Sequence, residues 1–531
     1  MDASSDGRAD GSDECRSKTG SATWCADGSM DVSRDGAEDT VEVGDSGEAV
    51  DGGETGDAAD GGDTTDSGDA GNGPDEESPY EKDVSLPVSC DSQHSEVAIL
   101  EPDMFQGPDD FQEAFKAQDK RIFCLKPGDY RDLGGQWGLY LKTGGAEGQR
   151  RYLVHYNPAT PSDTHPWNMD SPDQKTGDKR VLLPRVVIAS PYWTLDRLRI
   201  DGDKGLLTVK EEGHHAILNR LMFYQFGGQP DNQAVSTKDT HHVWIQNSVI
   251  GGFPQWDVGD ETCCFDRGTS GDDNLALLVV DSDDIYFVDN ESWNPFNGDI
   301  VQTQVVNTQQ PSIKRTVIAD NDMWLTDAMR NQPYENAIDF KKGPDGGPRE
   351  GWAVVQNNRI WGFDNQEDMM SWQVVTTHGD STTSGYIIRD NVFWDNQAAA
   401  VSLSTNDSKN IVEGNVIYNH ETQFSKGGLA LSAMGESRVA NNILIDSASP
   451  SFWNVEDSTP HNTTVTHNVF INSDVDASQH EPANTVTANA FYNSTPFQGS
   501  NSNSIVEPDA SAAAHDDRTV RVREITGPET V

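Results

Sequence analysis

Eleven short phrases of one pattern punctuate the chain between about residues 190 and 495. In each, an apolar residue is followed by two mostly polar positions, usually an Asn, one residue of any kind, and another apolar residue. The phrases centre on Asp196 (WTLDRLRI), Asn219 (AILNRLMF), Asn247 (WIQNSVI), Asn290 (FVDNESW) and Asn321 (IADNDMW). They continue at Asn358 (VQNNRIW), Asn391 (IRDNVFW), Asn415 (VEGNVIY), Asn442 (VANNILI), Asn468 (VTHNVFI) and Asn489 (VTANAFY). Most spacings run from 21 to 37 residues, with one of 43. Such a period predicts a stack of similar units. The apolar residues three before and two after each Asn can face one core, across a tight bend where Asn tolerates a left-handed backbone. Equal positions of successive coils then stack about 4.8 Å apart, so the Asn side chains can bond to one another as a ladder. The segments are short, rich in Val, Ile and Thr, and broken by Gly and Asn. That composition disfavours a helical solenoid.

A second strand phrase follows a loop of variable length in each unit: NGDIVQTQ (297–304), ENAIDFKK (335–342), WQVVTTHG (372–379), AAVSLST (399–405) and GLALSAM (428–434). Variable loops gathered on one face tend to build the binding surface of a repeat protein. Three residues after the Asn come Trp293, Trp324, Trp361, Trp394 and Tyr418. If the residue two after the Asn points inward, this column points outward. Trp324, Trp361 and Trp394 are thus candidates for stacking on sugar rings, or the rings stack on one another as structural staples.

The fold class expected is all-β, a parallel β-helix of about eleven coils over 186–505. An N-terminal capping module spans 84–185, and 506–531 is a tail or capping strand. DDFQEAFKAQ (109–118) reads as a short helix closing the open end, and CLKPGDY (124–130) as the first strand and turn. Residues 1–83 are of another kind. Positions 1–80 hold 23 Asp or Glu against 4 Lys or Arg, with abundant Gly, Ser, Thr and Ala. A segment that repels itself and has little apolar area to bury reads as a disordered linker, or else as an acidic interaction tail. The whole 531-residue chain carries a net charge of −50. A nucleic-acid partner is excluded, because phosphate binding needs a basic surface.

No apolar run is long enough for a transmembrane helix, and no export signal is visible after Met1. A Gly/Asp/Thr stalk before a repeat domain nevertheless suggests an extracellular or cell-surface protein, expected as a monomer. Among six cysteines, Cys15–Cys25 and Cys90–Cys124 are plausible disulfides in such a setting. Cys263 and Cys264 are open to either disulfide or free-thiol readings.

The second strand phrase carries the candidate chemistry. With Ile338 and Phe340 facing the core, Asp339 and Lys341 face outward. Asp299 lies on the preceding coil, and Glu335 lies four residues before Asp339. Oxygen ligands from neighbouring strands suit a hard cation, Ca2+ rather than Mg2+. The other reading is a solvated acidic face.

At these residues a resemblance enters. HHVWIQNSVIGG (241–252), NGDIVQTQ, TVIADNDMW, YENAIDFKKG (334–343) and VVQNNRIWGF together resemble bacterial pectate lyases, right-handed parallel β-helix enzymes. The likeness covers roughly 240–365. It implies that Asn297, Asp299, Glu335 and Asp339 bind Ca2+ and that Lys341 matches the Lys of the family's VDIKG phrase. One calcium acid is here an Asn, the family's Lys of the next coil falls near Asn365, and its catalytic Arg falls near Ala399. The base must then come from Lys341 or His378.

Three functions follow. The first is a Ca2+-assisted lyase acting on an acidic, uronate-containing polysaccharide by β-elimination. The second is a non-catalytic polysaccharide-binding or adhesive surface protein, which the missing Arg and the stalk favour. The third is a glycoside hydrolase on the same scaffold, for which the only traces are GDD (271–273) and HG (378–379) at unsuitable spacing.

Overall fold

The computed structural model describes residues 80–90, 93–156, 181–200, 206–224, 233–251, 275–293, 298–306, 315–326, 335–341, 351–363, 373–377, 384–396, 399–403, 410–420, 431–433, 437–447, 463–473, 485–494 and 505–507. Three parallel sheets of fourteen, ten and fourteen strands form the walls of a right-handed β-helix. The sheet of ten, termed here the groove sheet, holds the second strand phrases. A typical coil runs from the groove sheet (Leu275–Val280) to the front sheet (Asp283–Val288), then through the Asn bend to the back sheet (Glu291–Trp293). Every strand pairs with its counterpart one coil away, as Ile285↔Thr316 and Glu291↔Asp322 show. Alternate residues point inward. Ile318, Met323, Val355 and Ile360, three before and two after their Asn, are fully buried in the central core.

The Asn ladder holds from Asn290 to Asn489, through Asn321, Asn358, Asn391, Asn415, Asn442 and Asn468. Each side-chain oxygen in this run from Asn321 onward accepts from the previous coil's Asn, as at Asn321 Nδ2→Asn358 Oδ1, 2.9 Å, and Asn358 Nδ2→Asn391 Oδ1, 2.9 Å. The same oxygens accept the preceding Asn's backbone N–H. Each Nδ2 also donates to a carbonyl of a neighbouring strand, as Asn358 does to Ile318. Two expectations are corrected. The left-handed residue is not the ladder Asn but the one before it: Asp289, Asp320, Asn357, Asp390 and Gly414 all have φ between 51° and 67°. Asp196, Asn219 and Asn247 are also out of line. In those coils the ladder position falls to Leu198, Leu221 and Ser248, with Ser248 Oγ accepting from Leu221 N and Ser248 N donating to Asn290 Oδ1. Asn219 instead joins Asp196 and Gln246 in a short polar row at the strand end.

Coiling starts earlier than the repeat suggested. Strands Val97–Leu100, Ile122–Leu125 and Arg151–His155 already belong to the front sheet. The expected helix is present as Pro108–Ala114. Its Phe111 and the adjoining Phe115 pack with Tyr130, Phe123 and Trp193 into an aromatic plug over the first coils. At the other end Ile505–Glu507 pairs with Ala490–Tyr492.

The segment from Tyr80 to Cys90, in part assigned to the linker, is docked on the outside of the front sheet. Tyr80 and Val84 pack on an outer apolar cluster that includes Trp244, Tyr286 and Val317. Gln246 holds the backbone of Lys82 from both sides, at 2.9 and 2.8 Å. Leu86, Val88 and Cys90 lie against Val97, Ile122 and Val154, and Cys90 is disulfide-bonded to Cys124. The rest of the linker, Cys15, Cys25, Cys263, Cys264 and 508–531 lie outside the described residues. The bridge closes a loop of 34 residues, long enough to restrict the unfolded chain by about 2–4 kcal/mol. A Cys90→Ser/Cys124→Ser variant should melt earlier, and limited proteolysis should cut first within 80–90 once the strap is untied.

Candidate functional site

Strands Val301–Gln304 and Ile338–Lys341 lie side by side in the groove sheet, with Gln302 beside Asp339 and Gln304 beside Lys341. Ile338 and Phe340 are core residues, so Asp339 and Lys341 take the outer face as parity requires. Asp299 sits at the bend before the first strand. Glu335 sits at the same bend one coil on, its backbone N–H bonded to the carbonyl of Gly298.

The three acids converge. Carboxylate oxygens of Asp299, Glu335 and Asp339 lie within 4.8 Å of one another. Lys341 Nζ stands among them, 3.2 Å from Glu335, 3.6 Å from Asp339 and 3.7 Å from Asp299. Lys341, expected on the outer face as a candidate base or substrate contact, has its ammonium turned to the protein's own acids. Asp299 and Asp339 are fully buried, whereas Glu335 and Lys341 each keep about a quarter of their side-chain surface. Asp339 is therefore outward in parity but not solvated.

Asn336, next to Glu335, donates both its backbone N–H (2.8 Å) and its amide (2.9 Å) to Asp299 Oδ1. Asp299 Oδ2 is buried and accepts no hydrogen bond among the described residues. Burial pushes the Asp299 carboxyl well above the usual carboxylate range. The charges of Asp339 and Glu335 push it the same way, against the pull of Lys341 and the Asn336 N–H. Among the described residues, three carboxylates and one ammonium meet here, two more acids than cations, in a poorly solvated place. Such an excess of acids favours uptake of a proton or a cation.

Asn297 and His378 lie outside the described residues. Ala399, at the position of the expected Arg, is buried and pairs with Gln373. The aromatic column is elsewhere, on the back sheet. Trp293, Trp324, Trp361, Trp394 and Tyr418 stack face to face at 5.0, 5.0, 4.6 and 6.0 Å. Gly251 covers Trp293, since a Cβ there would come within 2.5 Å of the indole. The faces of Trp324, Trp361 and Trp394 are occupied by one another, which leaves their edges for contact with a ligand. Asn336 and Gln302 escaped the sequence reading. Asn336 is legible only once Asp299 is known to lie beside it.

No protein-family model matches the sequence, and no curated protein is significantly similar to it. Several solved structures align with it. An alginate lyase of polysaccharide lyase family 6, AlyGC, aligns with a TM-score of 0.45 at 12% identity, covering 77% of this chain and 53% of that one. The chain thus spans about half the length of that enzyme. The Streptococcus pneumoniae surface adhesin PfbA aligns at 0.32 and 10% identity over 77% of this chain and all of its own (100%). Pectate lyase Pel9A aligns at 0.28 and 14% identity over 73% and 79%. The fold itself, a right-handed parallel β-helix, is read from this chain's own sheet order and register. Among the described residues no helix is long and apolar enough to cross a membrane.

Proposed function

We propose that the protein is a Ca2+-assisted lyase of uronate-containing polysaccharide, working on the outer face of the groove sheet. The observation that carries this reading is the convergence of Asp299, Glu335 and Asp339 from adjacent coils, an excess of acids over cations. The donor set is all oxygen, as a hard cation requires. The buried Asp299 Oδ2 is a ready acceptor, and one divalent ion would balance that excess. Asp299, Glu335 and Asp339 would hold the ion, with Asn297 as a neutral fourth ligand. An ion held by these residues would supply positive charge against the substrate carboxylate during α-proton abstraction. Lys341, displaced from the acids, would bind that carboxylate as an ammonium, or would first lose a proton and then take the α proton on the neutral Nζ, the C–H electron pair forming the double bond as the β-linked glycosidic oxygen leaves. His378 is the other proposed proton acceptor.

The direct test is a panel of uronate polysaccharides, each assayed with and without Ca2+ for the ultraviolet absorbance of the unsaturated product. Absence of product with every polymer, while Ca2+ still binds, favours the second reading, a surface polysaccharide-binding protein. That alternative draws support from Ala399, which places no cation where an eliminase of this kind would carry Arg. A hydrolase fits less well: its two carboxylates must flank the scissile bond, whereas here the acids are clustered on one cation.

Lys341→Met should separate the roles of this side chain. The ammonium occupies the position between the acids, so its removal should tighten Ca2+ binding several-fold in calorimetry. The same change should weaken binding or turnover of the anionic polymer. Unchanged or weaker Ca2+ binding would show that ion and ammonium do not compete.

A further inference from the structure

Away from the acidic cluster, the corner between the groove and front sheets carries paired histidines in equal positions of two coils. His214 and His215 precede strand Ile217–Asn219, and His241 and His242 open strand His241–Gln246. The pairing Ile217↔Trp244 sets His214 beside His241 and His215 beside His242. The four rings form a two-by-two grid. His214 stacks on His241 with centroids 4.7 Å apart, and His215 on His242 at 4.6 Å. Within each coil the rings meet edge to face at 4.9 and 5.0 Å. Their Nδ1 atoms lie 2.7 Å apart in His214–His215 and 2.8 Å in His241–His242. So short a contact needs at least one bare ring nitrogen in each pair. Ligand nitrogens of His214, His215 and His241 fall within 4.8 Å of one another.

We propose that His214, His215, His241 and His242 form a binding site for a divalent transition ion of the Zn2+, Cu2+ and Ni2+ class, which clamps two successive coils together. Two imidazoles on one such ion, each about 2.0–2.1 Å from it, have nitrogens about 2.9–3.4 Å apart. Each histidine pair therefore needs to open by only a few tenths of an ångström. All-imidazole ligation selects this class over Ca2+ and Mg2+, which take oxygen. His242 also has the partner expected of a ligating histidine: its Nε2 is 3.5 Å from Asp284 Oδ2, and Arg315 steadies Asp284 at 2.6 Å. On the opposite side Tyr192 stacks on His215 at 4.7 Å, with the Arg150 guanidinium over the tyrosine ring. The rings are partly exposed, so an ion can reach them. Burial, and then the neighbouring rings, push the His215 imidazole down to about 4, and His214 and His241 are lowered for the same reasons. Three to four coils of the groove sheet separate this corner from Asp339, about 14–19 Å along the axis. The site is thus separate from the acidic cluster and does not depend on the lyase reading.

The test uses full-length protein stripped with chelator and titrated with Zn2+ alone in a calorimeter. Wild type is expected to bind with a Kd of micromolar or tighter and to gain several degrees in Tm. His241→Gln and His215→Asn should each weaken binding at least tenfold; Asn tolerates the positive φ of 58° at His215. Asp339→Asn should leave Zn2+ binding unchanged. X-ray absorption of the wild-type complex should show two or more imidazoles on the ion, a readout that needs no variant to fold. Binding weaker than about 0.1 mM, a ligand shell of sulfur or oxygen only, or unchanged affinity in a folded double variant would each overturn the proposal. The grid would then be a stack of rings with a packing role alone.

Discussion

Asn358→Ala should cost about 3–5 kcal/mol, among the largest single losses available in this molecule. Asn358 is completely buried in the middle of the ladder. Its oxygen accepts from Asn321 N and Nδ2, and its own N–H and amide both donate to Asn391 Oδ1. The amide also donates to the carbonyl of Ile318. Alanine strands the backbone N–H and one amide hydrogen of Asn321, whose amide keeps its bond to the Phe287 carbonyl, and removes donors from two acceptors, all out of reach of bulk water. Each buried group left unsatisfied costs about 1–3 kcal/mol. Stacked coils exchange most of their interactions with nearest neighbours, so the damage should spread from the middle of the stack. Thermal melting with amide exchange should find protection lost first in the coils around 318–391. Asn219→Ala offers the comparison. It lies outside the ladder, in the short row with Asp196 and Gln246, and should cost less.

Asp339→Asn should weaken Ca2+ binding at least a hundredfold and abolish any eliminase activity, while the coils stay folded. The substitution keeps the shape and removes one of three converging carboxylates. The pH behaviour should change with it. Because the Asp299 carboxyl is raised in the folded protein, the native state without metal holds a proton that the unfolded chain has released. Metal-free stability should therefore be fully present below the ordinary Asp range and fall as pH rises through the raised value. Ca2+ should remove that loss, and its affinity should drop as pH falls through the same interval. Calorimetry and melting curves at several pH values, with Ca2+ or chelator, measure both. Equal Ca2+ affinity in wild type and Asp339→Asn would remove the cluster from consideration as a metal site.

The sequence by itself determined the fold, because an Asn repeat flanked by inward apolar residues has one economical solution: coils stacked in register. It also determined the parity of Ile338–Lys341 and hence that Asp339 and Lys341 share the outer face. Asp299 and Glu335 were legible as well, one coil apart, through spacing and resemblance. The register of the first bends was not legible, since Asn is accepted at a strand end, in a left-handed turn and in the ladder alike. Only the stacked neighbours distinguish Asn219 from Ser248. Burial was decided by tertiary structure too: parity sends Asp339 outward, but packing closes over it and leaves it fully buried. Lys341 illustrates the same limit, because a flexible side chain goes to the strongest nearby potential, which only the assembled coils define. The histidine grid had a signal in the chain, HHAIL (214–218) and HHVWI (241–245) at equal phase. Phase alone does not make a cluster; the parallel register that stacks ring on ring is a property of the folded coils.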